Sequence, residues 1–155
     1  MNRKALLNKL KAFKFSEVMG TGYIRNDSAG DGYFGSKRSG GKTHKGVDFL
    51  VDKGDNITSP IEGKVRYAYP YTKPDGSVYK KWGGVAIKGT GAYNGIEVKI
   101  FYLNPKKSII DGKVKPGEKI GTAQAISEKY PGQGMENHIH VEMKVMGKIV
   151  NPQQY

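Results

Sequence analysis

The chain has 155 residues, with 26 Lys and Arg against 14 Asp and Glu for a formal net charge of +12, 3 His and no Cys. That length suits one compact domain with an adequate core; without cysteine there is neither a disulfide nor a thiolate metal site, so any metal must use His, Asp or Glu. The basic excess favours polyanionic partners such as nucleic acid, an anionic membrane surface or an anionic cell-wall polymer, while the scatter of the lysines equally suits a merely soluble basic surface.

Residues 2–15 carry Leu6, Leu7, Leu10 and Phe13 with Lys4, Lys9 and Lys11 between them. This stripe predicts a short amphipathic helix packed against the domain, with a membrane-surface or partner-docking role as the alternative. The basic start lacks the continuous apolar stretch and cleavage site of a secretory signal, so no Sec address is visible. No run approaches the roughly 20 apolar residues of a membrane span. From Gly20 to Gly41, glycines and polar residues are broken only by Tyr23-Ile24 and Tyr33-Phe34, which predicts turns and one or two short strands. Nothing there has the strand, GxGxxG and helix context of a nucleotide loop.

After Asp48 come short β runs: Phe49-Leu50-Val51, Ile57-Thr58 and Gly63-Lys64-Val65-Arg66-Tyr67-Ala68-Tyr69, separated by Gly, Pro and Asp signals. Such spacing predicts antiparallel pairing. Residues 70–81 read as a long exposed hairpin or loop whose Tyr71, Tyr79 and lysines are either loop decoration or the lining of a polymer-binding cleft. Two further strands, Gly84-Val85-Ala86-Ile87-Lys88 and Ile96-Glu97-Val98-Lys99-Ile100-Phe101-Tyr102-Leu103, flank Asn94-Gly95, a tight-turn signal. Lys115-Pro116-Gly117 turns into another strand, and the chain closes with Gly147-Lys148-Ile149-Val150-Asn151-Pro152 as a last hairpin arm. With no repeat and helix only at the start, the expected fold is mainly β, a single antiparallel sheet domain with a short N-terminal helix.

The chemistry concentrates at Asn137-His138-Ile139-His140-Val141-Glu142, where polar and apolar residues alternate. In a strand this puts both imidazoles and Glu142 on one face. The remaining histidine, His44, precedes Asp48 in His44-Lys45-Gly46-Val47-Asp48. A straight strand would hold these two about 13 Å apart at roughly 3.3 Å per residue, too far for one zinc, whose ligands sit at about 2.0–2.2 Å. The segment must therefore bend if both are ligands, and Gly46 tolerates the required backbone angles.

These residues carry a resemblance. His44-x-x-x-Asp48 followed by His138-x-His140, with Ser59-Pro60-Ile61-Glu62-Gly63-Lys64-Val65, Val114-Lys115-Pro116-Gly117-Glu118-Lys119-Ile120-Gly121 and Val150-Asn151-Pro152 in the same order, resembles the lysostaphin/LytM-type zinc metallopeptidases, which cleave peptide bonds of bacterial peptidoglycan. The resemblance covers residues 31–155, with 1–30 as helix and lead-in. It implies a largely antiparallel β domain with the site in a groove across the sheet. It makes His44, Asp48 and His140 the zinc ligands and His138 a catalytic histidine beside the metal. Three protein ligands with an open fourth position is how a catalytic zinc site keeps a water, and His138 has the near-neutral pKa of a general base. Glu142 is expected to fix a ligand imidazole's tautomer, with a base role of its own as the alternative.

One position departs from the pattern. Most active members have a second catalytic histidine where Tyr102 stands, in Ile100-Phe101-Tyr102-Leu103. The Lys99-x-Phe101-Tyr102-x-x-Pro105 pattern and Tyr130-Pro131-Gly132 are similar to the leukocyte cell-derived chemotaxin branch of the fold, which implies zinc without peptidase activity; the cysteines of that branch are missing, which fits a bacterial or phage origin better. A phenol can still donate a hydrogen bond to an oxyanion. The leading expectation is therefore a zinc endopeptidase acting on peptidoglycan at the cell wall or periplasm, for wall remodelling or as a delivered antibacterial effector, with either export by a route other than Sec or a truncated start, and with an immunity or docking protein as a candidate partner. The alternatives are a catalytically silent zinc-containing module that binds wall polymer or a protein partner and, on charge alone, a basic nucleic-acid-binding protein; no specific nucleic acid is expected as a partner.

Overall fold

The computed structural model describes residues 2–6, 8 and 23–154. Residues 3–6 and 8 are helical, started by the Asn2 side-chain carbonyl, which accepts the Ala5 N–H at 2.9 Å, the usual way to satisfy a free N–H of a first turn. Leu6 from this turn is wholly buried in the main core. The rest of the expected stripe, Leu7, Leu10 and Phe13, lies outside the described residues, as do Gly20 and Gly22.

The strands are β1 (Asn26–Asp27), β2 (Gly30–Asp31), β3 (Val47–Leu50), β4 (Asn56–Thr58), β5 (Gly63–Ala68), β6 (Gly84–Gly89), β7 (Ile96–Phe101), β8 (Leu103–Pro105), β9 (Lys113–Val114), β10 (Lys119–Ala123), β11 (His138–Val145) and β12 (Lys148–Val150). All named pairings are antiparallel, as expected. The single sheet is not: among the described residues there are a 7-stranded sheet ordered β12-β11-β7-β6-β5-β9 with β3 on β11, a 3-stranded sheet ordered β4-β10-β8, and the β1-β2 pair. For the 3-stranded sheet the physical reason lies at one residue. Tyr102 has φ 70°, so the chain running out of β7 turns there and β8 pairs with β10 instead of continuing along β11. The Asn94-Gly95 turn is also wider than a two-residue hairpin, because residues 91–93 first make a 3-10 turn. The 70–81 segment is a small hairpin, bridged at Thr72 and Val78 and turned at Gly76 with φ 86°.

Alternation along the strands builds the core. In β11, Ile139, Val141, Met143 and Val145 are fully buried and pack with Val47, Phe49, Val85, Ile87, Val98 and Ile100. The opposite face of the same strands carries His138, His140 and Glu142, together with a smaller apolar group of Ala68, Ala86 and Phe101. No described helix is long and apolar enough to cross a membrane.

Candidate active site

Strand β11 pairs with β3 so that His140 lies opposite Asp48, and with β7 so that His140 also lies opposite Phe101. Directly opposed residues in antiparallel strands share a face, so this register alone brings Asp48 and Phe101 to the two sides of His140. The Phe101 and His140 rings stack with centroids 5.9 Å apart. His44 arrives through the bend at Gly46 that precedes β3. Gly46 has no positive φ there. Its requirement is space, because a Cβ would fall 2.3 Å from the Val141 carbonyl and 3.0 Å from the His140 ring. The expectation that glycine supplies unusual backbone angles is replaced by close approach of two chains.

Tyr102 comes from the turn between β7 and β8. Successive side chains of a regular strand point to opposite faces, yet Phe101 and Tyr102 both reach the histidines. The Tyr102 ring stands edge-on to His138 at 5.4 Å and lies 6.3 Å from His140. Its left-handed φ makes that double presentation geometrically available.

His44, Asp48 and His140 offer ligand atoms within 4.8 Å of one another. Their outward atoms are already assigned by acceptors. His44 Nδ1 donates to the Tyr33 carbonyl at 2.9 Å, and His140 Nε2 donates to Glu142 Oε1 at 3.1 Å. A carbonyl or carboxylate oxygen only accepts, so the neutral rings carry their lone pairs on His44 Nε2 and His140 Nδ1. Those nitrogens face each other at 3.0 Å, with Asp48 Oδ1 at 3.2 and 2.8 Å. Three lone-pair donors aimed at one point require a cation, either a proton or a metal, and two imidazoles with a carboxylate are a donor set that zinc accepts. The residues fit the metal. In the metal-free protein the cation is a proton: burial disfavours it on His140, but hydrogen bonds to Asp48 and Glu142 outweigh that and push the pKa up to about 9. Asp48 is likewise disfavoured as an anion by burial, but hydrogen bonds from His140 and His44 hold it far below the usual carboxylate range.

His138 is 3% exposed. It donates Nδ1–H to the Glu136 carbonyl at 2.8 Å, leaving Nε2 unprotonated and 3.6 Å from Asp48 Oδ2. Burial lowers its pKa, against the raising effects of Asp48 and the Glu136 hydrogen bond. A cleft of about 200 Å³ opens onto this group, lined by Arg38, His44, Tyr102, Tyr130, Met135 and His138 among others. A larger cavity of about 480 Å³ shares Met135 with it, but its carboxylates, Asp52 and Glu136, have no histidine lining that space.

Four neighbours of the site were not among the site residues expected from the sequence. Buried Arg25 donates Nε–H to Asp48 Oδ2 at 3.2 Å and Nη1–H to Asp27 at 2.9 Å. Tyr71 Oη lies 3.1 Å from Tyr102 Oη and 3.2 Å from Tyr130 Oη. Lys129 Nζ, 3.9 Å from the centre of the Tyr71 ring, donates to Tyr130 Oη at 3.4 Å. Of these, only Tyr71 sits in a segment whose composition hinted at a lining role.

The profile of peptidase family M23 matches residues 42–152. Leukocyte cell-derived chemotaxin-2 of Bos taurus is 34% identical over 116 residues, which cover 75% of this chain and 69% of that protein. Among solved structures, a zinc containing peptidase from Vibrio cholerae superposes with TM-score 0.58 at 20% identity, covering 87% of this chain and 38% of the other. The catalytic domain of the antimicrobial peptidase lysostaphin from Staphylococcus simulans gives TM-score 0.56 at 19% identity, covering 78% and 85%. The structural likeness speaks to the fold, the profile and the chemotaxin identity to descent, and together they place the chain in peptidase family M23, with the lysostaphin/LytM-type metallopeptidase fold.

Proposed function

We propose that this chain is a zinc endopeptidase hydrolysing peptide bonds of bacterial peptidoglycan, with His44, Asp48 and His140 holding the metal, His138 as general base and Tyr102 as a hydrogen-bond donor. The observation that carries the reading is the convergence of three lone-pair donors beside a buried imidazole whose free nitrogen faces the same cleft. Zinc, when bound, supplies a Lewis acid that polarises a scissile carbonyl and makes water a better nucleophile.

The chain's own residues do the rest. His138 Nε2 takes the proton of the attacking water and returns it to the leaving amine, and Nδ1–H stays on the Glu136 carbonyl throughout, which fixes the ring plane. Burial pushes the Tyr102 phenol up to about 12, so it is a donor at neutral pH. The Lys129 ammonium donates to Tyr130 Oη, and Tyr130, Tyr71 and Tyr102 follow as a chain of phenols; with their hydrogens ordered away from Lys129, the Tyr102 hydroxyl hydrogen is the one left for the cleft, where an oxyanion would develop. Glu142 acts as the acceptor that fixes the His140 tautomer.

The same proposal takes 31–155 as the peptidase domain and 1–30 as its lead-in. It places the action at the cell wall or periplasm, in wall remodelling or as a delivered antibacterial effector, with the +12 charge attracted to anionic wall polymer and with an immunity or docking protein as partner. Incubation with purified peptidoglycan tests it: new free amino groups should appear, vanish with a chelator and return with zinc. A second reading, a zinc-containing binding module without catalysis, is favoured by Tyr102 at a family histidine position and by the chemotaxin similarity. It predicts zinc binding with no amino-group release.

A further inference from the structure

The hairpin of β1 and β2 lies upstream of the family match, yet its backbone is pinned to Asp48. Arg25 N–H donates to the Asp48 carbonyl at 2.9 Å, and Asp48 N–H donates to the Gly32 carbonyl at 2.9 Å. Gly32 has no room for a side chain, since a Cβ would sit 2.5 Å from the Asp48 Cβ. From this hairpin the Arg25 side chain, 4% exposed, reaches Asp48, Asp27 and the Gly30 carbonyl together. Asp27 in turn accepts the Glu136 N–H at 2.9 Å through its other oxygen, and the Glu136 carbonyl accepts from His138. The contacts close into a ring: Asp48, Arg25, Asp27, Glu136, His138 and back to Asp48 at 3.6 Å.

We propose that Arg25 is a positioning residue that divides the two oxygens of Asp48, binding Oδ2 so that Oδ1 alone is offered to a divalent metal, and that with Asp27 it braces His138 over the same site. This rests on the zinc-site reading above. Oδ1 is the oxygen that meets His44 and His140, at 3.2 and 2.8 Å, and Oδ2 is the one that meets Arg25. The guanidinium charge is matched by two buried carboxylates, so its contribution to the site is geometry rather than net charge. A lysine could keep the charge but could not span three acceptors with a planar fork. Groups behind a metal ligand typically change affinity by about 10–100-fold when removed.

The test loads the full chain with cobalt(II), whose visible absorption weakens as coordination number rises, and measures zinc affinity by chelator competition in wild type, Arg25→Met, Arg25→Lys and His140→Ala. The expected result is that Arg25→Lys, with a wild-type circular dichroism spectrum, shows weaker cobalt absorption, because Asp48 becomes free to bind through both oxygens, and zinc affinity lower by about 10–100-fold. Arg25→Met should show the same change. An Arg25→Lys protein with wild-type absorption and affinity overturns the proposal, whatever Arg25→Met does. If wild type takes up neither metal, or His140→Ala takes them up equally well, the zinc-site reading fails first and the brace with it.

Discussion

His44 Nε2 and His140 Nδ1 face each other at 3.0 Å with their outward nitrogens already bonded to Tyr33 and Glu142, so the pair shares a position that only a cation can fill. At neutral pH without metal that cation is a proton on His140, whose pKa is pushed up to about 9. Zinc binding at this position would have to displace it. Apparent zinc affinity is therefore expected to rise about tenfold per pH unit between pH 6 and 8, with close to one proton released per metal. Calorimetry in buffers of different ionisation enthalpy measures that release, and a pH-independent affinity would contradict the assignment. The linked stability has the opposite sign: a raised folded-state pKa stabilises the metal-free fold fully below the unfolded value near 6.5 and loses that contribution as pH climbs through about 9.

His138→Ala should abolish the general base while leaving the metal site filled. The expected loss is about 10²–10⁴-fold in kcat, with zinc content by elemental analysis unchanged. Because burial lowers the His138 pKa, the base stays neutral below pH 6.5, and the acid limb of the pH–rate profile should fall there rather than at or above it.

Tyr102→Phe removes the phenolic donor and keeps the ring against His138. A loss of about 10²–10³-fold in kcat is expected if that donor meets the oxyanion. Tyr71→Phe should lower kcat less, because it leaves the Tyr102 hydroxyl in place and removes only its orienting partner. Steady-state kinetics on a defined cross-link peptide checks the order of the two effects; equal rates for Tyr102→Phe and wild type would move Tyr102 out of the reaction.

Gly46→Ala places a methyl group 2.3 Å from the Val141 carbonyl, backbone that cannot rotate away. The expected cost is about 1–3 kcal/mol in urea unfolding of the metal-free protein, the usual range for overpacking. Zinc affinity should fall too, since the same methyl group presses on the His140 ring.

The central constellation was legible in the sequence because strand alternation is a strict rule. It put His138, His140 and Glu142 on one face, and the structure has them there. The bend expected between His44 and Asp48 is present at Gly46, although space and not backbone angle explains the glycine. The separation of β8 from the large sheet was not legible, since it turns on the φ of Tyr102, a residue with no local signal for a left-handed conformation. Arg25, Lys129 and Tyr130 were not legible as site neighbours for a different reason, and Tyr71 only as one of two readings of its loop. Arg25 meets Asp48, Tyr71 meets Tyr102, and Tyr130 meets Tyr71 and Lys129, all but the last through tertiary contacts between segments distant in the chain, which neither periodicity nor spacing encodes.

The measurement that bears most directly on the account is mass spectrometry of soluble fragments released from purified peptidoglycan by the native protein, by the protein with chelator, and by His140→Ala. Fragments with new peptide termini in the native sample alone, identifying the bond cut, are the predicted result and would show that Tyr102 supports catalysis. No release from walls of several cross-link chemistries, by protein carrying one zinc per chain, would contradict the endopeptidase and leave the binding module.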